Sequence, residues 1–195
     1  MAETGLRYPV AAKRNPADGT HSAGIVVAKM MKVDLSPTLA EAILYGDDGE
    51  AEAIKEFGGA TLSVGVTYIS DDAQKLLYGH TTAQETLTVD SQQVPVDVIK
   101  SKSGDAGETV GFGFYAPCMR DHVKKFRAFW FPCVVFGEPG LSLTTKGNTI
   151  TFNTPTTTGT VMVDDQDDSN WKDEITVADA KTAIAWLKER ADIAP

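Results

Sequence analysis

The segment Thr109–Phe136, TVGFGFYAPCMRDHVKKFRAFWFPCVVF, limits the possible folds more than any other part of the chain. Two alternating aromatic runs flank Arg120-Asp121-His122-Val123, and a period of two is the pattern of strands half-buried on a sheet. Asp and His tolerate left-handed backbone better than most side chains, so Asp121-His122 suits the two-residue turn of a β-hairpin. That turn sets a register in which Val110 faces Cys133, Phe112 faces Phe131 and Phe114 faces Phe129. On the opposite face Gly111 meets Pro132, Gly113 meets Trp130 and Tyr115 meets Ala128. Small stands opposite large in this second set, so Trp130 is expected to lie across Gly113 and restore packing over a strand glycine. The expected hairpin core is therefore Phe112, Phe114, Phe129 and Phe131, backed by Gly113 and Trp130. The register also holds Cys118 and Cys133 about seven residues apart, too far for a disulfide, so both are expected reduced and buried.

Other segments carry the same β signature. Leu6–Ala12 reads as a short strand or arm, followed by an exposed loop to Ala23 with turn signals at Asn15-Pro16 and Asp18-Gly19. Gly24–Leu35 and Gly58–Ile69 alternate as strands, the second with Leu62, Val64 and Val66 on one face. Glu41–Tyr45 stops at Gly46-Asp47-Asp48-Gly49. Glu50–Phe57 has helical propensity but a thin apolar face, Ile54 and Phe57, which predicts a loop. Thr86–Val89 and Val94–Lys100 read as strands, with Pro95 pointing to a sheet edge. Asn148–Asn153 and Thr156–Val163 read as threonine-rich strands.

Two helices are expected. One is short, capped by Ser70, with Asp71 and Asp72 in its first turn, Leu76 and Leu77 buried, and Gly79 closing it. The other spans Thr176–Ala191, where Val177, Ala180, Ile184, Leu187 and Ala191 form one apolar stripe with Trp186 at its flank. The expectation is one mainly-β domain over residues 1–195, a sandwich or barrel with a short helix and a flanking C-terminal helix.

Chemistry is sparse. The glycines of Gly111-Phe112-Gly113 lie inside a strand and open no helix, so they do not form a phosphate cradle. An EF-hand loop begun at Asp164 would put Ser169 at the glycine position and Ile175 at the glutamate position. Begun at Asp165, it would put Asn170 and Thr176 there, so residues 164–170 predict a solvated acidic loop. His21, His80 and His122 fall in loops or turns, outside any hydrolase or zinc frame. Neither a catalytic site, a cofactor nor a metal is expected. A net charge of −9 disfavours tight nucleic-acid binding. The N-terminus has no apolar stretch typical of a signal peptide, and no run reaches the roughly 18–20 residues of a membrane span. Synthesis in a cytoplasm follows as an expectation.

VGFGFY, VKKFRAFWFPCVVFGEP and the threonine-rich NTITFNTPTTTGTVM resemble the major tail protein family of long-tailed siphophages that infect Gram-positive bacteria. GLRYPVAA, LYGDDGEAE followed by EFGGATLSVGV, and WKDE extend the likeness along nearly the whole chain. Asp121-His122 departs from the Asn-Gly that relatives often carry. The resemblance implies a tail-tube β-sandwich whose copies form hexameric rings, stacked in the virion tail around a channel that DNA passes without specific binding. It implies further copies and other tail proteins as partners, and no membrane. Leu6, Tyr8, Pro9, Tyr45, Asp47, Asp48, Ile54 and Phe57 are the expected intersubunit contacts, because their segments show no partner within the domain. The alternative expectation is a soluble β-sandwich module binding a receptor or carbohydrate through exposed Trp171 and Trp130.

Overall fold

A computed structural model describes residues 2–46, 49–145 and 152–194. In chain order the elements are β1 (Ala2–Glu3), β2 (Arg7–Arg14), β3 (His21–Val26), β4 (Met30–Gly46), β5 (Gly49–Val66), α1 (Asp71–Tyr78), β6 (Thr81–Val89) and β7 (Gln92–Lys100). They continue with β8 (Val110–Arg120), β9 (Val123–Gly137), β10 (Thr156–Val161), β11 (Asp173–Val177) and α2 (Ala180–Arg190). The chain is mainly β with a short helix and a C-terminal helix, as its sequence implies.

The β8–β9 hairpin is the centre of this arrangement. Asp121 and His122 have φ of 52° and 63°, the left-handed pair that a type I′ turn requires. Phe112 pairs with Phe131, Gly113 with Trp130, Phe114 with Phe129 and Tyr115 with Ala128, continuing to Arg120 with Val123. The register departs from expectation at its far end, where Val110 meets Val134 and not Cys133. From Phe112 to Val110 β8 spans two residues while β9 spans three, so β9 carries one extra residue opposite Gly111. Pro132 explains the position: it has no N–H for a ladder, and a bulge accommodates that loss. As a result Val134 and Phe136 join Phe112 and Phe131 in the inner core. Cys133, expected on that phenylalanine face, instead lies within electrostatic reach of Arg14 and Asp164.

Strands add to both sides of the hairpin in the order β3-β2-β8-β9-β10-β5-β4, all antiparallel. β9 divides its outer edge, giving Phe126–Trp130 to β11 and Val134–Gly137 to β10. The sheet curls until β2 near one end touches β4 at the other. The inner face buries Leu62, Val64 and Val66 of β5 and Val161 of β10 beside the phenylalanines, with Ala73, Leu77 and Tyr78 of α1 packed against them. The outer face packs Val10, Ala12, Tyr115, Ala128 and Trp130 against Ala183, Leu187 and Ala191 of α2 and its end.

Both helices are punctuated as read, with one revision. The Ser70 hydroxyl accepts the Ala73 N–H at 3.3 Å, and Gly79 closes α1 at φ 75°. α2 begins four residues later than expected, capped by Asp179, whose carboxylate accepts the Thr182 N–H at 2.8 Å. Val177 belongs to β11, paired with Phe126. Two further expectations are corrected. Glu50–Phe57 is not a loop but part of β5, paired with β4 from Gly46↔Gly49 to Met30↔Val66. Of the two forms expected for Leu6–Ala12, strand or arm, the strand is found and the arm is not: Val10, Ala11 and Ala12 of β2 are fully buried between β3 and β8. The strand expected at 148–153 falls largely outside the described residues.

A Cβ on Gly113 would stand 2.7 Å from Trp130 Cε3, 2.8 Å from Leu187 Cδ2 and 2.8 Å from the Phe129 carbonyl oxygen. Gly113→Val is therefore expected to cost about 1–3 kcal/mol as overpacking. Replacing Asp121-His122 with Asn-Gly should stabilise by about 0.5 kcal/mol, since the new residues adopt the turn with less strain. Denaturant melts of the two variants, run on dilute chain, check both signs. A neutral Gly113→Val would contradict the packing of Trp130.

Candidate assembly surfaces

Two hairpins project from the closed core. In β4–β5 the inner strand segments, Met30–Ser36 against Thr61–Val66, belong to the curled sheet. Beyond Thr38 and Gly59 the pair continues as a two-stranded ribbon. Leu39, Ile43 and Ile54 on this ribbon are 56%, 38% and 56% exposed. Among the described residues of the ribbon, side chains on both faces meet solvent.

The second ribbon is β6–β7, a separate two-stranded sheet with a turn at Asp90-Ser91, φ 50° and 67°. Its register sorts the side chains cleanly. The pairs Ala83–Val98, Glu85–Val96, Leu87–Val94 and Val89–Gln92 share one face. Thr82–Ile99, Gln84–Asp97, Thr86–Pro95 and Thr88–Gln93 share the other. Thr81–Lys100 lies on the first face too, where Lys100 reaches Glu85 at 2.8 Å; beyond Glu85 that face is apolar up to Gln92, yet Leu87, Val89 and Val94 are exposed. An isolated ribbon is marginal in water, and its unpaired edges invite another strand. Leu141, Leu143 and Phe152, also strongly exposed, lie on the segments leading into and out of 146–151. The sequence reading missed them, although the alternation of Leu141 and Leu143 was a usable signal.

The expected contact residues divide into three groups. Ile54 lies on the exposed ribbon. Phe57 lies at the ribbon's base and stacks on Trp171, with ring centroids 4.3 Å apart and planes 11° apart. Leu6, Tyr8 and Pro9 have partners inside the domain, contrary to the premise on which they were chosen. Leu6 packs on the inner core and Tyr8 on the outer cluster, where burial raises its hydroxyl pKa. Pro9 is buried and its carbonyl accepts the Val27 N–H at 3.0 Å. Asp47, Asp48 and the side chain of Tyr45 lie outside the described residues. The tryptophans named for a carbohydrate site are not exposed: Trp130 is buried beneath α2, and Trp171 is half-buried on Phe57.

The histidines stand apart from one another. His21 Nε2 lies 2.9 Å from the Pro132 carbonyl, so Nε2–H donates there, and the ring meets Trp130 edge-on at 5.1 Å. Burial lowers its pKa, with the Pro132 bond opposing that shift. His80 is buried beside Tyr78, with Nε2 3.5 Å from Glu138 Oε1. His122 sits in the exposed hairpin turn. Among the described residues no group of three or more His, Cys, Asp or Glu side chains is placed to hold a metal ion. No helix among them is long and apolar enough to cross a membrane. Both cysteines are free and buried, and burial pushes the Cys133 thiol pKa up.

The acidic loop has a structural use that the sequence did not reveal. Asp164 is buried and forms an ion pair with Arg14, which is itself buried at the end of β2. Arg14 Nε reaches Asp164 Oδ2 at 3.3 Å, and Arg14 also reaches Asp165 at 3.0 Å. The Gln166 N–H donates to Asp164 at 2.9 Å, and Asn170 Nδ2 bridges Asp167 and Asp173. Burial alone would raise the Asp164 pKa, but the Arg14 and Gln166 hydrogen bonds outweigh it and hold the carboxyl below its ordinary range. No family model matches this chain, and no curated protein matches it.

The ion pair makes a signed prediction. A carboxyl with a depressed folded pKa contributes stability above its unfolded pKa and loses it as pH falls through the folded value. Acid melts should therefore show a loss beginning near pH 4 and deepening below it, a loss that Asp164→Asn reduces. Arg14→Met leaves a buried carboxylate alone and is expected to cost about 3–5 kcal/mol, while Arg14→Met with Asp164→Leu should recover much of that. A double variant that costs the sum of Arg14→Met and Asp164→Leu measured singly would show that the pair is not coupled.

Proposed function

We propose that this chain is a structural subunit of a phage tail tube, its copies joining into hexameric rings that stack around a channel for DNA. The observation that carries the reading is the pair of ribbons, which present apolar side chains beyond a core already closed without them. A lone folded copy gains little from such ribbons, whereas a copy among neighbours can bury their faces and pair their edges. The likeness of VGFGFY, RAFWFP and the threonine-rich segment to siphophage major tail proteins gives the association its geometry. In this reading the subunit is made in the host cytoplasm, resides in the virion tail, contacts other tail proteins, and has no catalytic role. A net charge of −9 suits a protein that DNA passes without specific binding, because counterion release rewards basic surfaces.

Concentration-dependent rings or tubes, seen by negative-stain electron microscopy and sedimentation, are the expected result. Since Ala40 pairs with Glu56, replacing Glu41–Lys55 by Asn-Gly should leave a closed two-residue hairpin. That shortened chain should melt like the parent yet sediment as a monomer. Parent chain that stays monomeric at high concentration, even with tail-tip nuclei added, would rule the reading out.

A further inference from the structure

The registers of the two ribbons decide which side chains share a face. In β4–β5 the pairs Leu39–Phe57, Glu41–Lys55 and Ile43–Ala53 lie on one face, while Ala40–Glu56 and Ala42–Ile54 lie on the other. Leu39 and Ile43 are exposed on the first of these faces. Between them stand two charges, Glu41 and Lys55, paired with each other at 3.1 Å. The apolar face of β6–β7 has the same make-up. Leu87, Val89 and Val94 are exposed there, and its charged residues, Glu85 and Lys100, are likewise paired with each other. The reverse face of β6–β7, with Gln84, Thr86, Thr88, Gln93 and Asp97, is mostly polar.

Each ribbon is thus a two-stranded sheet with one apolar face whose charges cancel, and such a sheet is marginal until a second layer covers it. Within one copy the two ribbons belong to separate sheets and do not pack on each other, so these side chains stay exposed. Resting on the assembly reading above, we propose that the β4–β5 face carrying Leu39 and Ile43 packs on the β6–β7 face carrying Leu87 and Val94 of a neighbouring copy. Facing sheets stand about 10 Å apart, so side chains of both layers meet between them. Each carboxylate on these faces is already held by a lysine of its own ribbon. Neither layer therefore brings an unpaired charge into the contact, where burying it would be costly. Two ribbons of the same kind packed together would join two copies and stop, leaving the other ribbons bare. Packing one kind on the other uses two different surfaces, so the array continues into a ring or an open polymer.

Face-directed variants test this. Leu39→Thr with Ile43→Thr removes apolar surface from one layer, and Leu87→Thr with Val94→Thr from the other, while threonine keeps strand propensity. Each pair should raise the protein concentration needed for assembly at least about tenfold. Ile54→Thr and Gln93→Thr, on the reverse faces, should leave it within about twofold. Melts of every variant on dilute chain should match the parent, because these side chains lie outside the core clusters. A chain with Ile43→Cys is then mixed with a chain with Val94→Cys and treated with a short bis-maleimide, to which the buried Cys118 and Cys133 are closed. Cross-linked dimer should form in the mixture and with neither chain alone. Either chain cross-linking to its own kind would show ribbons of one kind packed together and overturn the proposal. So would a mixture that yields no cross-link, or reverse-face variants that impair assembly as much as the face-directed pairs. In each of those cases rings or tubes of the parent would leave the tube reading intact. A parent chain that never associates overturns both readings.

Discussion

Trp130 against the strand glycines is the contact on which the rest of the molecule depends. The indole lies over Gly113 on its own sheet and shares that space with Leu187 of α2, while the backbone of the same residue pairs with Asp173 of β11. One side chain therefore sets how closely the C-terminal helix approaches the sheet. At Gly111 a Cβ would collide with both Trp130 and His21, so the small residues of β8 make room for a large ring and a histidine together. Helix docking, the β11 pairing and the position of His21 all follow from small residues facing large ones on the outer face. A methyl group at Gly113 would have to move backbone as well as side chains, because the Phe129 carbonyl is among the atoms in the way, whereas at Gly111 the rings of Trp130 and His21 would have to move.

The features legible in the sequence were those with local causes. The hairpin register followed from a two-residue turn, and the caps of α1 followed from Ser70 and Gly79. The features missed were set by tertiary partners. Ala53–Phe57 has helix-forming residues, but each faces a β4 partner, Ile54 opposite Ala42 and Phe57 opposite Leu39, and the extended pairing overrides propensity. Val177 fitted the helical stripe only because its spacing from Ala180 is also a helical step. Asp179, two residues beyond it, is the true cap. Pro132 was a readable sign of the bulge, since a proline inside a paired strand lacks the N–H that a regular ladder uses.

Placing the two candidate surfaces was harder. Ile54 was recoverable because its apolar side chain had no visible partner. The same logic misassigned Leu6, Tyr8 and Pro9, whose partners come from α2, β3 and the inner core, remote in sequence. Arg14 and Asp164 are 150 residues apart, and nothing local to either distinguishes a buried ion pair from two solvated charges. Burial decides their roles, and burial is a property of the whole fold.

That division explains how one chain can fold stably and still present unsatisfied surface. A strand register is strongly specified where one face is buried and weakly specified where neither is. In β4–β5 the buried stretch comes first: Leu62, Val64 and Val66 lock the inner pairs, and the outer ribbon inherits a register it could not hold alone. Bulges at Thr38/Leu39 and Leu44/Tyr45 then add local twist and bend along the ribbon. An irregular, twisted ribbon is a poor template for indiscriminate edge pairing but remains able to meet one complementary surface. The core thus fixes the geometry of an exposed ribbon without burying it, and the fold of the domain does not draw on the exposed side chains of Leu39, Ile43 and Ile54.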